Sequence, residues 1–275
     1  MCVLSPATRA RILKSRFLPI LVFPYRIRLI TVFSFRSLIR GFRWLFLSKE
    51  FANFTYDLKP ANKEYLAWFI ANVCRAPVAE IKSYLDELEN NSELKTFIND
   101  QLRQHRRGNE IDSEAYFGRR IGWYAIVRAT QPSLIVETGT EKGLGSLVLA
   151  EAILKNGKGK LITIDMEPSS GLLIGGKYSG VISQVIGDSI QALSQIDQVD
   201  MFIHDSDHSS EHEAREFGVI TPRLTVSGIV LSDNSHATNE LSKWSLDNGR
   251  KFFYFAEEPL NHWYPGAGIG ISVKS

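Results

Sequence analysis

Short apolar runs alternate with helical patterns along the second half of the chain. Seven of these runs occupy residues 134–137, 161–165, 181–186, 199–205, 228–233, 251–257 and 268–273. A strand is apolar at every position only when both of its faces are buried, so the runs predict a mostly parallel sheet covered on both sides by helices. The segment between the last two runs is too short for a crossover helix, and we therefore expect the last strand to be antiparallel.

The residues before the first run carry a helical pattern. Between residues 61 and 126, apolar side chains recur at intervals of three and four residues, as at Ile81, Tyr84, Leu85 and Leu88 and again at Leu94, Phe97, Ile98 and Leu102. This spacing places them on one face of a helix. We therefore predict three regions, which are a basic apolar leader (1–50), a helical region (51–130) and an α/β core (131–275).

The leader combines short apolar runs with basic residues and contains no acid before Glu50. Neither apolar run, 17–24 or 29–36, reaches the ~20 residues that a membrane-spanning helix needs. Pro24 predicts two short helices in place of one long helix. Two interpretations stay open for residues 1–46, which are peripheral contact with a membrane, or an arm that packs on the helical region or on a partner subunit of a homo-oligomer.

Composition limits the partners and the compartment. The 275 residues carry a net charge of +2, and a charge so close to balance disfavours a nucleic-acid partner. Cys2 and Cys74 form no disulfide framework, which is typical of a reducing cytoplasm. We therefore predict a cytoplasmic protein, with a membrane-peripheral location if the leader binds lipid.

Three glycines follow the first predicted strand, in the stretch VETGTEKGLGS at residues 136–146. Their order is G-x-x-x-G-x-G, at Gly139, Gly143 and Gly145, and not the G-x-G-x-x-G of a dinucleotide-binding turn. Glu137 ends the strand, where it would repel a phosphate and attract a cationic or amine-bearing ligand. The structural alternative is an ordinary turn from a strand to a helix.

Acidic residues stand at the carboxyl ends of five successive predicted strands, where open α/β sheets bind their ligands. They are Glu137, Asp165, Asp188, Asp205 and Asp233. Asp188 also precedes a predicted helix and can equally serve as its N-terminal cap. The series as a whole predicts a ligand-binding edge of the sheet.

The Glu137-x-Gly139 pattern, followed by Asp165 and Asp188, resembles the first motifs of class I S-adenosylmethionine-dependent methyltransferases. The resemblance extends over roughly residues 116–275 and implies a Rossmann-like α/β sheet with an N-terminal helical region. It implies that Glu137 and the glycines serve the aminoacyl part of the cofactor, that Asp165 binds the ribose hydroxyls and that Asp188 lies beside the adenine. The implied S-adenosyl-L-methionine site comprises Glu137, Gly139, Thr140, Gly143, Asp165, Asp188 and Ser189.

A second group of strand-end residues suits a hard cation. Asp205, Asp233 and Asn234 offer oxygen ligands at neighbouring strands, a set that favours Mg²⁺ or Mn²⁺. The segments DSDHS (205–209) and SDNSH (232–236) resemble those of metal-dependent O-methyltransferases, including bacterial macrolide sugar O-methyltransferases and the cephalosporin hydroxylase-like group. This resemblance implies methylation of a hydroxyl on a sugar or another small natural product.

Two histidines are candidate general bases, because imidazole titrates in the range that such a base needs. They are His208, where the related plant enzymes carry a lysine, and His236; Asp205 is the third predicted catalytic residue. His208 has an alternative role in orienting the following helix, which Ser210 and Glu213 are expected to begin with a capping box.

Other functions are compatible with the same residues. The crowded segment with His204, Asp205, Asp207, His208 and His212 invites a zinc hydrolase, although its spacing departs from H-E-x-x-H. Alternation along a strand also turns His204 and Asp205 to opposite faces. The remaining alternative is a methyltransferase-like metal-binding scaffold, or a hydroxylase-like enzyme, without methyl transfer.

Two aromatic segments are candidate walls for a small hydroxyl acceptor. The first comprises Tyr116, Phe117, Arg119, Arg120, Trp123 and Tyr124, and the second is residues 262–268. Aromatic faces stack on rings, and arginines pair with phosphates or carboxylates. For Trp123 and Ile126 we favour the simpler role of packing a helix onto the sheet.

Overall fold

The computed structural model describes residues 14, 16, 18–48, 55–105, 116–118 and 120–274. The chain divides into two compact units, one of Met1–Ser48 with Asn261–Trp263 and one of Lys49–Leu260 with Tyr264–Ser275. The leader residues before Lys14, together with Glu50 and with Arg119 of the first candidate acceptor wall, lie outside the described residues.

Two helices make up most of the described part of the first unit. They are α1 (Leu18–Leu21) and α2 (Phe23–Leu47). Pro24 lies in the first turn of α2, where its missing N–H costs no helical hydrogen bond. The predicted break is therefore found beside Pro24, but the prediction of two short helices is wrong, because α2 continues for 25 residues. No described helix is both long enough and apolar enough to cross a membrane.

The second unit begins with helices, as the apolar spacing predicts. They are α3 (Pro60–Cys74), α4 (Val78–Glu89), α5 (Ser92–Gln104) and α6 (Ile121–Thr130). The predicted stripe of α4 is buried at Ile81, Leu85 and Leu88. These side chains belong to one hydrophobic cluster that continues through α6 into the sheet, so helices and sheet share a core.

Within the described residues, seven strands form a single sheet in the order β3-β2-β1-β4-β5-β7-β6. The strands are β1 (Leu134–Thr138), β2 (Lys160–Asp165), β3 (Ile182–Ile186), β4 (Val199–His204), β5 (Leu224–Ser232), β6 (Arg250–Ala256) and β7 (Gly268–Lys274). The connecting helices are α7 (Leu144–Asn156), α8 (Ser189–Ser194), α9 (Ser210–Ile220) and α10 (Glu240–Asp247), with short 3-10 turns at Gly176–Gly180 and Thr221–Arg223.

The strand directions confirm the predicted fold class. Strands β1 to β5 pair in parallel, whereas β7 is antiparallel to both β5 and β6. The strand order reverses between β1 and β4, and ligands of open α/β sheets bind at such a switch point. Burial on both faces was wrongly predicted for β3, where Val185 and Ile186 are exposed. The reason is that β3 has a neighbour on one side only and continues into a helix of six residues.

A buried carboxylate lies beneath the glycine loop, which we define as residues 139–145 between β1 and α7. Glu137 is only 1% exposed, and its Oε2 accepts hydrogen bonds from Ser146 Oγ of α7 and from Thr163 Oγ1 of β2, the latter at 2.7 Å. One side chain therefore connects two strands and a helix. Burial raises the pKa of Glu137 to about 7, although the two hydrogen bonds and the charge of Arg120 act in the opposite direction.

This pKa predicts how stability depends on pH. Glu137 titrates at an ordinary value of 4.5 when unfolded and at about 7 when folded, so its contribution is fully present below pH 4.5 and is lost as the pH rises through 7. The variant Glu137→Gln stays neutral throughout. The difference in free energy of unfolding between Glu137→Gln and the native chain should therefore change with pH. As the pH is raised from about 5 to about 8, we expect it to shift by ~2 to 3 kcal/mol in favour of the variant.

Urea unfolding of both chains at the two pH values measures this gain. Comparing the two chains removes the contribution of all other titrating groups, because those groups are common to both. If the two chains differ in stability by the same amount at about pH 5 and at about pH 8, the pKa of Glu137 is not raised in the folded chain.

Candidate active site

A cleft of about 510 Å³ opens at the carboxyl ends of the central strands. Its lining includes Gly139, Glu141, Lys142, Asp165, Met166, Glu167, Asp188, Ser189, Asp205, Ser206, Asp207 and His212. The sequence predicted Gly139, Asp165, Asp188, Ser189 and Asp205 as site residues. The fold thus brings residues from the ends of four different strands to one cavity.

Backbone amides hold Asp165 at the floor of the cleft. Its Oδ2 accepts the N–H of Glu141 and its Oδ1 accepts the N–H of Glu167, each at 2.8 Å. Gly139 lies beside it with φ of 90°, in the left-handed region, and a Cβ at this position would lie 2.0 Å from the carbonyl oxygen of Asp205. Only glycine fits there, so the bare backbone of the loop faces the cavity.

Three of the predicted cofactor residues lie behind the wall of the cleft. Glu137 is buried beneath the loop, and Thr140 is buried with its Oγ1 2.7 Å from Thr163 Oγ1. Gly143 has φ of 92° and is the N-cap residue that precedes α7. The side chains of Glu137 and Thr140 therefore shape the glycine loop from below and do not line the cavity.

Asp188 is both a helix cap and a residue of the cleft lining. Its Oδ1 accepts the backbone N–H of Gln191 at 2.9 Å, which makes it the N-terminal cap of α8. The same residue lines the cleft, next to Ser189. The capping hydrogen bond fixes the position from which its carboxylate borders the cavity.

A cluster of possible metal ligands lies next to the cleft. Ligand atoms of Asp205, His208 and Asp233 all lie within 4.8 Å of one another. Asn234 was the third predicted ligand, and its side-chain nitrogen lies 2.9 Å from His208 Nε2. His208, which the sequence singled out as a base, thus stands among the ligand atoms. Asn234 adopts a φ of 52°, which asparagine tolerates better than most residues.

Arg120 pairs with the carboxylate of this cluster. Its guanidinium lies 3.0 Å from Asp205 Oδ2, and the two side chains are only 12% and 10% exposed. The other oxygen, Oδ1, lies 3.8 Å from His208 Nε2. Arg120 was predicted only as part of an acceptor wall; no spacing rule connects it with Asp205, because the two residues meet through the fold.

A buried carboxylate that the sequence did not single out binds His204 and Ser206, the two residues on either side of Asp205. Glu216 accepts hydrogen bonds from Thr138 Oγ1 and Ser206 Oγ, and it contacts His204 Nδ1 at 2.7 Å and His212 Nε2 at 2.9 Å. Burial would raise its pKa, but the hydrogen bond and charge of His204, together with hydrogen bonds from neighbouring hydroxyl groups, lower the pKa to about 2. The four-residue spacing of His212 and Glu216 was the available signal.

This network disfavours the zinc hydrolase. His204 and His212 both face Glu216, and neither belongs to the group of ligand atoms formed by Asp205, His208 and Asp233. The expected alternation along β4 is therefore found, with His204 fully buried and Asp205 at the cleft. The crowded segment supplies two separate groups of residues and not one metal site.

The prediction of a capping box formed by Ser210 and Glu213 is wrong, because the helix cap lies one residue earlier. Ser209, not Ser210, caps α9, since its Oγ accepts the N–H of His212. Glu213 consequently falls one position beyond the place where it could return a hydrogen bond to the cap. Its carboxylate instead accepts hydrogen bonds from Ser232 and Thr238.

The second candidate base lies away from the cleft. His236 is exposed in the turn after β5 and borders a separate cavity of about 380 Å³. In the first candidate acceptor wall, Trp123 and Tyr124 are fully buried, as is Ile126. The expected packing role of Trp123 and Ile126 is thus confirmed, and among the described residues of that segment Arg120 contacts the cluster through Asp205.

Comparisons with known proteins agree with this fold. Residues 136–235 match the family model described as a methyltransferase domain. The cofactor-bound Rv0187 from MTB is similar, with a TM-score of 0.51 and 16% identity, over 70% of this chain and 95% of that one. The O-methyltransferase TomG from Streptomyces achromogenes, in complex with SAM, has a TM-score of 0.50 and 16% identity, over 65% of this chain and 89% of that one.

No curated protein sequence is significantly similar to the chain. At a sequence identity of 16%, structural similarity shows a shared fold and no more. The family match nevertheless covers the glycine loop, the strand-end acids and the Asp-Asn pair, which are the residues that build the cleft and the cluster. Residues 136–235 are therefore similar to a methyltransferase domain, and the sheet around them has the Rossmann-like fold of class I methyltransferases.

Proposed function

We propose that the chain is an S-adenosylmethionine-dependent O-methyltransferase that acts on a hydroxyl of a sugar or small natural product and uses Mg²⁺ or Mn²⁺. The observation that carries this proposal is the double position of Asp205, which lines the cleft and also belongs to the cluster with His208 and Asp233. A cofactor site and a metal site would then share one residue. TomG, a structural relative described as involved in tomaymycin synthesis, supports a natural-product acceptor.

The cleft fits the cofactor by its donors and its shape. Asp165, held by two backbone amides, would accept the ribose hydroxyls through its remaining lone pairs. Asp188 and Met166 border the cavity, and Met166, which is 72% exposed, offers a polarizable apolar surface to an adenine ring. The bare backbone at Gly139 allows close approach of the aminoacyl part. When bound, the cofactor supplies a methyl group activated by its sulfonium.

The cluster fits a divalent cation by its chemistry. Two carboxylates and an imidazole form a donor set that suits Mn²⁺ and, through the oxygens, Mg²⁺. When bound, such a cation lowers the pKa of a coordinated hydroxyl, which is otherwise a poor nucleophile. Arg120 would keep Asp205 in place through Oδ2 and leave Oδ1 directed toward His208. Holding the acceptor in line with the methyl group is then the main task of this site.

The cofactor site is tested by Asp165→Asn. The amide keeps the size of the side chain but loses the charge that strengthens its hydrogen bonds, so we expect affinity for S-adenosylmethionine to fall about 10- to 100-fold in calorimetric titrations. The control is Asp247→Asn, which removes the same charge from an exposed position at the end of α10. Equal affinity of the two variants would remove Asp165 from the cofactor site.

The metal site is tested by Asp233→Asn, with Mn²⁺ binding followed by electron paramagnetic resonance. Loss of an outer partner of a ligand already costs about 10- to 100-fold in affinity, so we expect a loss of more than ~100-fold for a ligand itself. Affinity for S-adenosylmethionine should stay unchanged, because Asp233 does not line the cleft. A native chain that binds no Mn²⁺ would contradict the metal assignment and leave the cofactor site intact.

The two histidines are distinguished by the same measurements. Because His208 stands among the ligand atoms, His208→Gln should lower both Mn²⁺ affinity and turnover, whereas His236→Gln should leave both nearly unchanged. Unchanged Mn²⁺ affinity with lost turnover would return His208 to the role of base. A larger loss in His236→Gln would transfer that role to His236 and contradict the site described here.

Cofactor binding without turnover on any sugar or phenol hydroxyl would favour the scaffold or hydroxylase-like alternative. A screen with methyl-labelled cofactor, with and without Mg²⁺, separates these cases. Transfer of label that does not depend on the cation would keep the methyltransferase and reject the metal.

A further inference from the structure

Helix α2 presents large apolar side chains to solvent along its whole length. Phe23, Ile30, Leu38, Phe42 and Leu45 are each more than half exposed. Intervals of seven and eight residues, each about two helical turns, relate Phe23, Ile30, Leu38 and Leu45 to one another, so they follow one face of the helix. An apolar groove of about 780 Å³ runs along this face. Exposed apolar area of this extent marks a binding surface.

The charge of the helix has one sign. Its 25 residues contain five arginines and no acid, and the sequence shows no acid anywhere before Glu50. Arg26 and Arg40 are 14 residues apart, which is close to four helical turns, and Arg43 follows Arg40 by three residues, so the three arginines share a stripe beside the apolar face. Long arginine side chains keep their charge in water while their stems cover apolar surface. Helix α2 thus carries both an exposed apolar face and a positively charged stripe.

We propose that α2 binds the surface of an anionic lipid bilayer and lies in its interfacial plane. The apolar face would enter the boundary between headgroups and acyl chains, and the arginines would pair with lipid phosphates. Charge complementarity favours lipid over a second copy of this chain. In a symmetric dimer formed through α2, each arginine stripe would meet another stripe of the same sign without acids to neutralise it.

The test uses the full chain and vesicles of phosphatidylcholine with or without phosphatidylglycerol. We expect co-sedimentation with the anionic vesicles at low salt, weaker binding to neutral ones, and a strong loss of binding near ~1 M salt, where the Debye length is about 3 Å. The variant R26Q/R28Q/R40Q/R43Q should bind anionic vesicles about 100-fold to 1,000-fold more weakly, since each basic residue near the surface contributes roughly fivefold.

The control is K158Q/K160Q/K251Q/K274Q, which removes the same charge from exposed positions of the second unit. We expect its vesicle binding to stay close to that of the native chain. A second variant, L38S/L45S, keeps every charge and should weaken binding at low salt through lost apolar burial. Thermal unfolding and retained S-adenosylmethionine affinity of each variant show that the methyltransferase core is intact.

Three results would overturn the proposal. One is a full chain that ignores anionic vesicles at low salt. Another is equal binding by the arginine variant and its lysine control. The third is a dimer, measured by light scattering, that the L38S/L45S variant dissociates while vesicle binding is absent, because this result would assign the face to a second copy of the chain.

Discussion

The hydrogen bonds that Ser146 and Thr163 donate to the buried carboxylate of Glu137 hold the centre of the sheet and the glycine loop in one arrangement. A carboxyl group in this position is desolvated, and its hydrogen bonds only partly compensate for that loss, which is why its pKa is raised to about 7. The desolvation of Glu137 is tolerated because this one side chain connects β1, β2 and α7. The position of Gly139 at the cleft depends on that connection.

The same edge of the sheet concentrates charge in a small volume. Glu137, Asp165, Asp205 and Asp233 all approach it, and Arg120 pairs with Asp205 and also lowers the pKa of Glu137 through its charge. The partners of these carboxylates differ. Glu137 accepts hydrogen bonds from hydroxyl groups, Asp165 accepts them from backbone amides, and Asp205 pairs with an arginine. These differences separate Glu137, which is buried beneath the glycine loop, from Asp165 and Asp205, which line the cleft, even though all three end neighbouring strands.

Much of this arrangement could be predicted from the sequence, because it follows from local pattern. Apolar runs identified all seven strands, and the strand ends identified Asp165, Asp188 and Asp205 as cavity residues. The pattern could not show that Glu137 turns beneath the loop, since strand position does not determine which partners a side chain finds. The contact of Arg120 with Asp205 and the role of Glu216 were missed, because Arg120, just before α6, and Glu216, in α9, reach the strand ends through tertiary packing.

The proposed metal site and the proposed cofactor site share Asp205, so a bound metal ion and the methyl group of the cofactor should lie close together. Their proximity can be measured directly. S-adenosylmethionine labelled with ¹³C in its methyl group, bound to the full chain, should show strong paramagnetic relaxation of that methyl when Mn²⁺ is added, and none with Mg²⁺. The Asp233→Asn variant should abolish the effect at the same Mn²⁺ concentration while the cofactor stays bound. A bound methyl group whose relaxation is unaffected by saturating Mn²⁺ would contradict the shared site.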